Sequence, residues 1–358
     1  MKRFLLSLSV AVSVVATPAW AGDISFRHEV EHAIDHGLDW LKAHQNATNG
    51  SWSTPDQPAL TALALTAFMG DPSLGSNSIS PGVQRGYEFI QASAKPDGAI
   101  YNKGLQNYNT ALCVMALVAA RNPAYAPQIL RARQWLLTQQ VDSGGVGYGD
   151  HGPHSDMNNT FTALEALYYS KPLAADKSLA GAKDLNWPAA IHFIQSCQNL
   201  GEDAKNRGGF IYDPTSSKAP AVTNASGKVA LRSYGSISYA GLLSYIYCDV
   251  PRDDARITAV YDWSRDNFTL DENPGMGQQG LYYYLHLMAK ALTIYGTDRL
   301  TLQDGRSIDW RHDLAMKLLN LQQTDGSWSN PNNRWWEHDP ALVTSYSLLS
   351  LEMLHDKL

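Results

Sequence analysis

An aromatic residue, then Leu or Ile, three further residues and Gln recur along this chain as Trp40-Leu41 with Gln45, Trp135-Leu136 with Gln140, and Phe193-Ile194 with Gln198. Phe89-Ile90 opens another copy, with Ala94 in the place of Gln. Glycine follows at a short distance: Gly144 after Gln140, Gly326-Ser327-Trp328 after Gln322, Gly50-Ser51-Trp52 after Gln45, and Asp97-Gly98 in the second copy. Self-similarity of this period restricts the fold more than length or composition does, because one such unit cannot bury its apolar face alone and must stack on its neighbours.

Each glycine leads into an apolar run: 61–68, 110–118, 160–168, 236–246, 280–295 and 344–354. These runs are apolar nearly all round, the mark of helices buried on more than one face. The preceding segments, about 34–44, 83–94, 129–140, 188–198, 256–267 and 312–322, mix charge with an apolar stripe, as in Arg131-Ala132-Arg133-Gln134-Trp135-Leu136-Leu137. They read as amphipathic helices with one face in solvent. Glycine at the turn suits a helix stop in the left-handed region, and Asn109-Thr110 and Asn159-Thr160 are expected to cap the helix that follows. The expected fold is all-α: an (α/α)6 toroid of six helical hairpins and twelve helices in two concentric layers. Its repeats span about 34–69, 83–120, 129–169, 188–247, 256–295 and 312–355. An open solenoid stays open as the alternative, since stacking is easier to read than closure.

The first residues read as an export signal over 1–21, with Lys2-Arg3, the apolar stretch Phe4 to Val15, and Ala19-Trp20-Ala21 before Gly22. The expectation is a secreted or periplasmic protein with one domain over 22–358. Without residues 1–21 the 28 Lys and Arg fall by two to 26 against 34 Asp and Glu, so the formal charge moves from -6 to -8. That balance argues against a nucleic-acid partner, and no apolar stretch elsewhere suggests a transmembrane anchor. Cys113, Cys197 and Cys248 sit inside apolar helical segments and read as buried thiols.

The Gln-to-Gly-x-Trp elements at 322–328 and 45–52, with Thr-Ala opening inner helices, resemble the repeats of squalene-hopene and oxidosqualene cyclases and of protein prenyltransferase β-subunits. The resemblance covers about residues 30–355 and implies a cavity for an isoprenoid-like or elongated apolar ligand, as in a cyclase (an isomerase) or a transferase. Class II terpene cyclases carry Asp-x-Asp-Asp followed by Thr at an inner-helix start, where an Asp protonates the substrate. The matching frame here is Asp156-Met157-Asn158-Asn159-Thr160, with Asp156 the candidate acid and the two later carboxylates replaced by amides. An Asn amide has no acidic proton to give. A second frame, Gln106-Asn107-Tyr108-Asn109-Thr110, has no carboxylate, so conventional protonation-driven cyclisation is not expected. The family's zinc-holding Asp-x-Cys is not matched by Cys248-Asp249, where the order is reversed. No cofactor is expected.

Other residues keep chemistry open. His151, His154 and Asp156 are weak candidates for a metal, though a solvated loop explains them as well. Arg232, with Tyr234 and Tyr239, could hold an anionic headgroup or pair with a loop carboxylate. Gln279, Tyr283, His286 and Lys290 fall on one face of the fifth inner helix if helical spacing holds, with His286 and Tyr283 as acid/base candidates or as packed core. Trp335 and Trp336 beside Glu337 and His338 could make a stacking wall with an acid/base group, or pack over the rim. Three functions therefore stand side by side: a toroid for an apolar ligand, a carbohydrate-active lyase or hydrolase on the same ring, and a non-catalytic binding or scaffold protein. Asn159 joins the ligand-contact candidates.

Overall fold

The computed structural model describes residues 20–75, 79–149, 152–174, 184–201, 203–223 and 229–358. The expected export signal lies outside these residues except for Trp20 and Ala21, and so does His151. Among these residues six outer helices, α1 (Trp20–Ala43), α3 (Pro81–Ala92), α5 (Ala126–Leu137), α7 (Trp187–Ser196), α9 (Ala255–Asp266) and α11 (Trp310–Leu321), alternate with six inner ones. The inner helices are α2 (Pro58–Gly70), α4 (Gln106–Ala119), α6 (Met157–Ala174), α8 (Gly235–Tyr247), α10 (Leu281–Tyr295) and α12 (Pro340–His355). Each inner helix packs on the next, and α12 returns to α2, so the inner ring closes. Closure rules out the open solenoid. The first outer helix begins well before residue 34 and lies against α12 as well as α2, covering the seam between the last copy and the first. Two short antiparallel hairpins, β1 (Val222–Thr223) with β2 (Val229–Ala230) and β3 (Leu300–Thr301) with β4 (Ser307–Ile308), sit in the connections.

The two layers follow from the burial patterns. Helix α3 buries Val83, Gly86, Tyr87 and Ile90, one stripe of a 3.6-residue period. Helix α8 is buried at every residue from Gly235 to Tyr245. Hydroxyls inside such helices need partners. Ser238, Ser244, Ser345, Ser347 and Ser350 find them by donating to the carbonyl four residues back.

The repeated Gln has a defined duty. Gln45 Nε2 donates to the Gly50 carbonyl of its own turn at 2.8 Å and to Gly82 at the start of the next outer helix at 2.7 Å. Gln140 does the same to Gly144 and Asn186, Gln198 to Gly208 and Arg256, and Gln322 to Gly326 and Ala33. The last of these links copy six to copy one. The glycine is needed because the turn has a positive φ, +91° at Gly144 and +93° at Gly326, and because an added Cβ would meet the carbonyl of the next outer helix at 2.1 and 2.4 Å. A hydroxyl from the inner helix completes the unit: Thr61, Thr110, Thr160, Ser238 and Thr344 accept from the N–H of Trp52, Ile100, Val146, Phe210 and Trp328 at 2.9–3.0 Å.

These bonds correct the capping expectation. Asn109 and Thr110 lie inside α4, where Asn109 Oδ1 accepts from Ala59 N–H of the neighbouring α2 and Thr110 holds its own turn. Trp40 also differs from Trp135 and Phe193: those two are buried, whereas Trp40 is half-buried and donates to Asp325 at 3.1 Å. The thiols are free, with Cys113 and Cys197 buried and Cys248 half-buried. Burial raises the Cys113 thiol and pushes Cys197 and Cys248 up to about 12.

Candidate functional site

Ring closure brings the N-terminal ends of all six inner helices to one side of the axis. A chamber of about 330 Å³ opens there, lined by Leu60, Tyr108, Asn158, Ser236, Tyr283 and Leu342 from the successive inner helices. A second chamber of about 340 Å³ lies deeper, between the C-terminal halves of the same helices, among Met69, Met115, Glu165, Lys290 and Met353. Tyr108, Tyr283 and Tyr346 line both. The phenol oxygens of Tyr108 and Tyr346 are 3.2 Å apart, the rings of Tyr283 and Tyr346 are 5.6 Å apart, and Tyr283 donates to Asn158 Oδ1 at 2.6 Å. This tyrosine belt divides the lumen. Burial raises all three phenols above their ordinary range, so they act as neutral hydrogen-bonding groups.

The repeat hydroxyl is the reference for the lumen wall. Two residues before it stand Tyr108, Asn158, Ser236 and Leu342 in the mouth chamber; two residues after it stand Leu63, Leu112, Thr162 and Tyr346 in the inner one. Four residues make about one helical turn, so both sets share one face. Tyr108 and Tyr346 were missed as site residues in the sequence, although this frame would have located them. Tyr148, Tyr212 and Lys218 on the mouth wall come from loops and carry no such signal.

Asp156 sits at the start of α6 and is fully buried behind the wall rather than on it. Its Oδ1 accepts from Asn159 N–H at 2.9 Å and its Oδ2 from Asn159 Nδ2 at 2.8 Å, and the Tyr212 phenol bonds to it as well. Burial raises its carboxyl, and the bonds from Asn159 and Tyr212 pull the other way. Tyr212 continues to Tyr148 at 2.6 Å between phenol oxygens. The chamber wall itself carries Asn158 and Asn159, the two amides. His154 is more than half exposed, with Nε2 3.8 Å from Asp156. Among the described residues no group of three His, Cys, Asp or Glu could hold a metal ion.

Glu337 is buried at the mouth and is committed to α10. The N-cap of that helix is Gly280, at φ +67°, which has no side chain to offer. Glu337 answers instead: Oε1 accepts from Tyr283 N–H at 2.8 Å, and Oε2 from Asn330 Nδ2 at 2.7 Å and Tyr282 N–H at 3.4 Å. Burial lifts its carboxyl, with these donors opposing the shift. The other inner-helix starts are also answered. Asp156 caps α6 and Asp339 caps α12, while Asn109 bonds α2, the Tyr148 carbonyl bonds α4, and Asn273 bonds α8. Just before Glu337, Trp335 and Trp336 hold left-handed φ of +54° and +66° and are 43% and 41% exposed on the chamber wall. Such a conformation is costly for bulky residues, and here it keeps both indoles over the opening.

Besides Asp156, four expected site residues lie away from the lumen wall. Arg232 precedes α8 and lines an outer groove with Asp203 and Trp263. It cannot join Tyr234, which lines the mouth chamber. Tyr239 follows the wall residue Ile237 by two positions, about 200° around the helix, and packs its ring 5.8 Å from Tyr284 in the core. Gln279 lies ahead of Leu281, where α10 begins, so helical spacing does not apply to it. His338 is exposed on the loop beyond Glu337. Tyr283, His286 and Lys290 do share a face, on the inner chamber. There Lys290 pairs with Glu165 at 2.7 Å, and Tyr247 donates to the same carboxylate at 3.1 Å. His286 is 4% exposed and stacks on Tyr346 at 5.4 Å. Burial, helped by Lys290, pulls it well below 6.5.

Comparison with known proteins places the fold. The squalene-hopene cyclase C-terminal domain family matches residues 55–166. Terpentedienyl-diphosphate synthase of Kitasatospora griseola is 39% identical over 70 residues, which are 18% of this chain and 14% of that protein. A variant of the type II terpene cyclase MstE from Scytonema, in complex with its substrate geranylgeranyl dihydroxybenzoate, superposes with a TM-score of 0.58 at 11% identity, covering 94% of this chain and 100% of that one. An inactive variant of the α-1,6-mannanase GH76A of Salegentibacter sp. HEL1_6, in complex with α-1,6-mannotriose, gives 0.57 at 12%, covering 91% and 98%. At these identities the structural likeness shows the α/α toroid alone. The sequence matches support the squalene-cyclase/prenyltransferase repeat family.

Proposed function

Proceeding from a toroid of squalene-cyclase/prenyltransferase type, we propose that the chain binds a neutral, isoprenoid-like or otherwise elongated apolar ligand in the mouth chamber. The observation that carries this reading is the chemistry of the wall. Tyr108, Tyr234, Tyr283, Tyr346, Trp335 and Trp336 supply aromatic surface that packs hydrocarbon well. The inner-helix starts, which would otherwise attract an anion, are already engaged by Asp156, Glu337, Asp339 and backbone or amide oxygens. Among the described residues Lys218 is the only Lys or Arg on this wall, and it stands 3.7 Å over the Tyr212 ring. A diphosphate would meet the Glu337 carboxyl and a single cation on this wall, so a neutral ligand is favoured. Protonation of the ligand by the family's route has no support, because the wall positions are Asn158 and Asn159. The substrate held by one terpene cyclase neighbour, geranylgeranyl dihydroxybenzoate, likewise carries a long isoprenoid chain, joined there to an acidic headgroup. Export directed by residues 1–21 belongs to the same proposal.

One observation favours a carbohydrate instead: the paired Trp335 and Trp336 at the opening could stack on sugar rings. The test titrates the protein with geranylgeraniol and with α-1,6-mannotriose, following tryptophan fluorescence and native mass spectrometry. Saturable geranylgeraniol binding, lost when Ser236→Trp fills the chamber, is expected. Binding of the mannotriose alone would establish the second reading. Binding of neither would overturn both in favour of a scaffold.

A further inference from the structure

The inner chamber contains two buried polar atoms that the fold leaves without partners. His286 Nδ1 and Glu352 Oε1 are both shielded from solvent and make no hydrogen bond, and both residues line this cavity. Ten buried side-chain atoms lack a partner among the described residues, and these two are the ones whose residues face a chamber together, where a ligand could answer them. They stand at opposite ends of the chamber. His286 stacks on Tyr346 of α12 at the belt, and Glu352 lies six residues further along the same helix, about 9 Å at 1.5 Å per residue. The wall supplies apolar surface from Leu112, Met115, Phe161, Leu287, Leu349 and Met353, beside Thr162, Arg121 and the Lys290–Glu165 pair. The two methionines can adapt to a ligand's outline.

We propose that the inner chamber is a second binding site, for an elongated hydrocarbon bearing a neutral hydrogen-bonding group at each end, of which a hydroxyl is the simplest. One end meets His286 Nδ1 below the tyrosine belt, and the other meets Glu352 near the far opening. Neutrality follows from the surroundings. Lys290 and Glu165 balance each other at 2.7 Å, and Arg121, which also lines the chamber, is exposed to solvent. Burial and the Asp71 carboxylate hold the Glu352 carboxyl well above its ordinary range, so it offers a proton or a lone pair rather than a charge. His286, held neutral, likewise donates or accepts according to its tautomer. This site does not depend on the mouth-chamber reading, because different residues carry it.

The test is calorimetric titration of the full chain with linear α,ω-diols from hexanediol to dodecanediol, and with 1-octanol as the one-ended control. Affinity should peak at one diol length and exceed that of 1-octanol about tenfold, the worth of one neutral hydrogen bond. His286→Phe and Glu352→Met should each weaken the best diol about tenfold. Glu352→Gln, which keeps shape and hydrogen-bonding capacity, should hold it within about threefold and guards against a folding artefact. Geranylgeraniol binding should be unchanged in all three variants. The absence of saturable diol binding, equal affinities in wild type and both deletions, or displacement of the diol by geranylgeraniol would each overturn the second site. Failure of geranylgeraniol to bind while the diol behaves as described would overturn only the mouth-chamber reading.

Discussion

Replacing Gly326 by alanine tests the logic of the repeat at the place where the ring closes. At φ +93° an L-residue is strained, by about 1–3 kcal/mol. The new Cβ would also stand 2.4 Å from the His36 carbonyl oxygen and 2.8 Å from its ring. Because real Cβ atoms keep at least 3.0 Å from such neighbours, α1 must retreat by more than half an ångström. The retreat stretches the Gln322 bond to Ala33, now 2.9 Å, which is worth about 0.5–1.5 kcal/mol. Together these effects predict a loss of about 2–4 kcal/mol. Gly305→Ala is the matched control. Its φ of +83° is equally foreign to alanine, but nothing lies within 4 Å of an added Cβ, so it should lose only the backbone strain of about 1–3 kcal/mol and fall short of the Gly326→Ala loss by about the worth of the Gln322 bond. Urea unfolding followed by far-ultraviolet circular dichroism measures both. If the two variants agree within about 0.5 kcal/mol, a typical surface effect, close approach at the seam contributes nothing and the reasoning fails.

Three further outcomes follow from the site. His286 is held neutral in the fold well below its unfolded pKa of 6.5. Its contribution is therefore present above that value and is lost as pH falls through 6.5 toward the folded pKa; His286→Phe should flatten the decline in unfolding free energy between about pH 7 and pH 5, and an unaltered slope would contradict the assignment. Glu337→Gln removes the charged acceptor from the start of α10 and should cost about 1–3 kcal/mol in thermal or urea unfolding, whereas no change would mean that Gly280 needs no such partner. Squalene incubated with the protein should give no cyclised product by gas chromatography–mass spectrometry, and turnover that disappears in Asp156→Asn would show that a carboxyl behind the wall can act through it.

The (α/α)6 architecture was legible in the chain because its determinants are local. Gln140 reaches its own turn four residues on, and Gly144 must be glycine for its own φ. The same amide then binds the next copy, so a motif written within one repeat also encodes the stacking of two. Copy four shows where that legibility ends: Gln198 and Gly208 make the same bonds, but the ten residues of separation hide the pattern. Site residues divide along the same line. Tyr283, His286 and Lys290 lie within one helix, so their shared face could be read from spacing alone. Gln279 could not be excluded that way, because Gly280 ends the helical geometry just before them.

What the amino-acid order determined by itself is therefore the repeat, the layer to which each helix belongs, and the amides Asn158 and Asn159 ahead of Thr160. Only the tertiary structure decided which residues face the axis together. Whether Arg232 and Tyr234 meet depends on the side of the ring each turns to, and they part. Glu337 looked like an acid/base group until α10 brought it two hydrogen bonds from residues 54 and 55 positions away, with Asn330 adding a third. The belt of Tyr108, Tyr283 and Tyr346 unites side chains up to 238 residues apart. Periodicity carries angles about one helix axis, whereas a cavity is made by the mutual position of six such axes, which the chain defines only once the ring has closed.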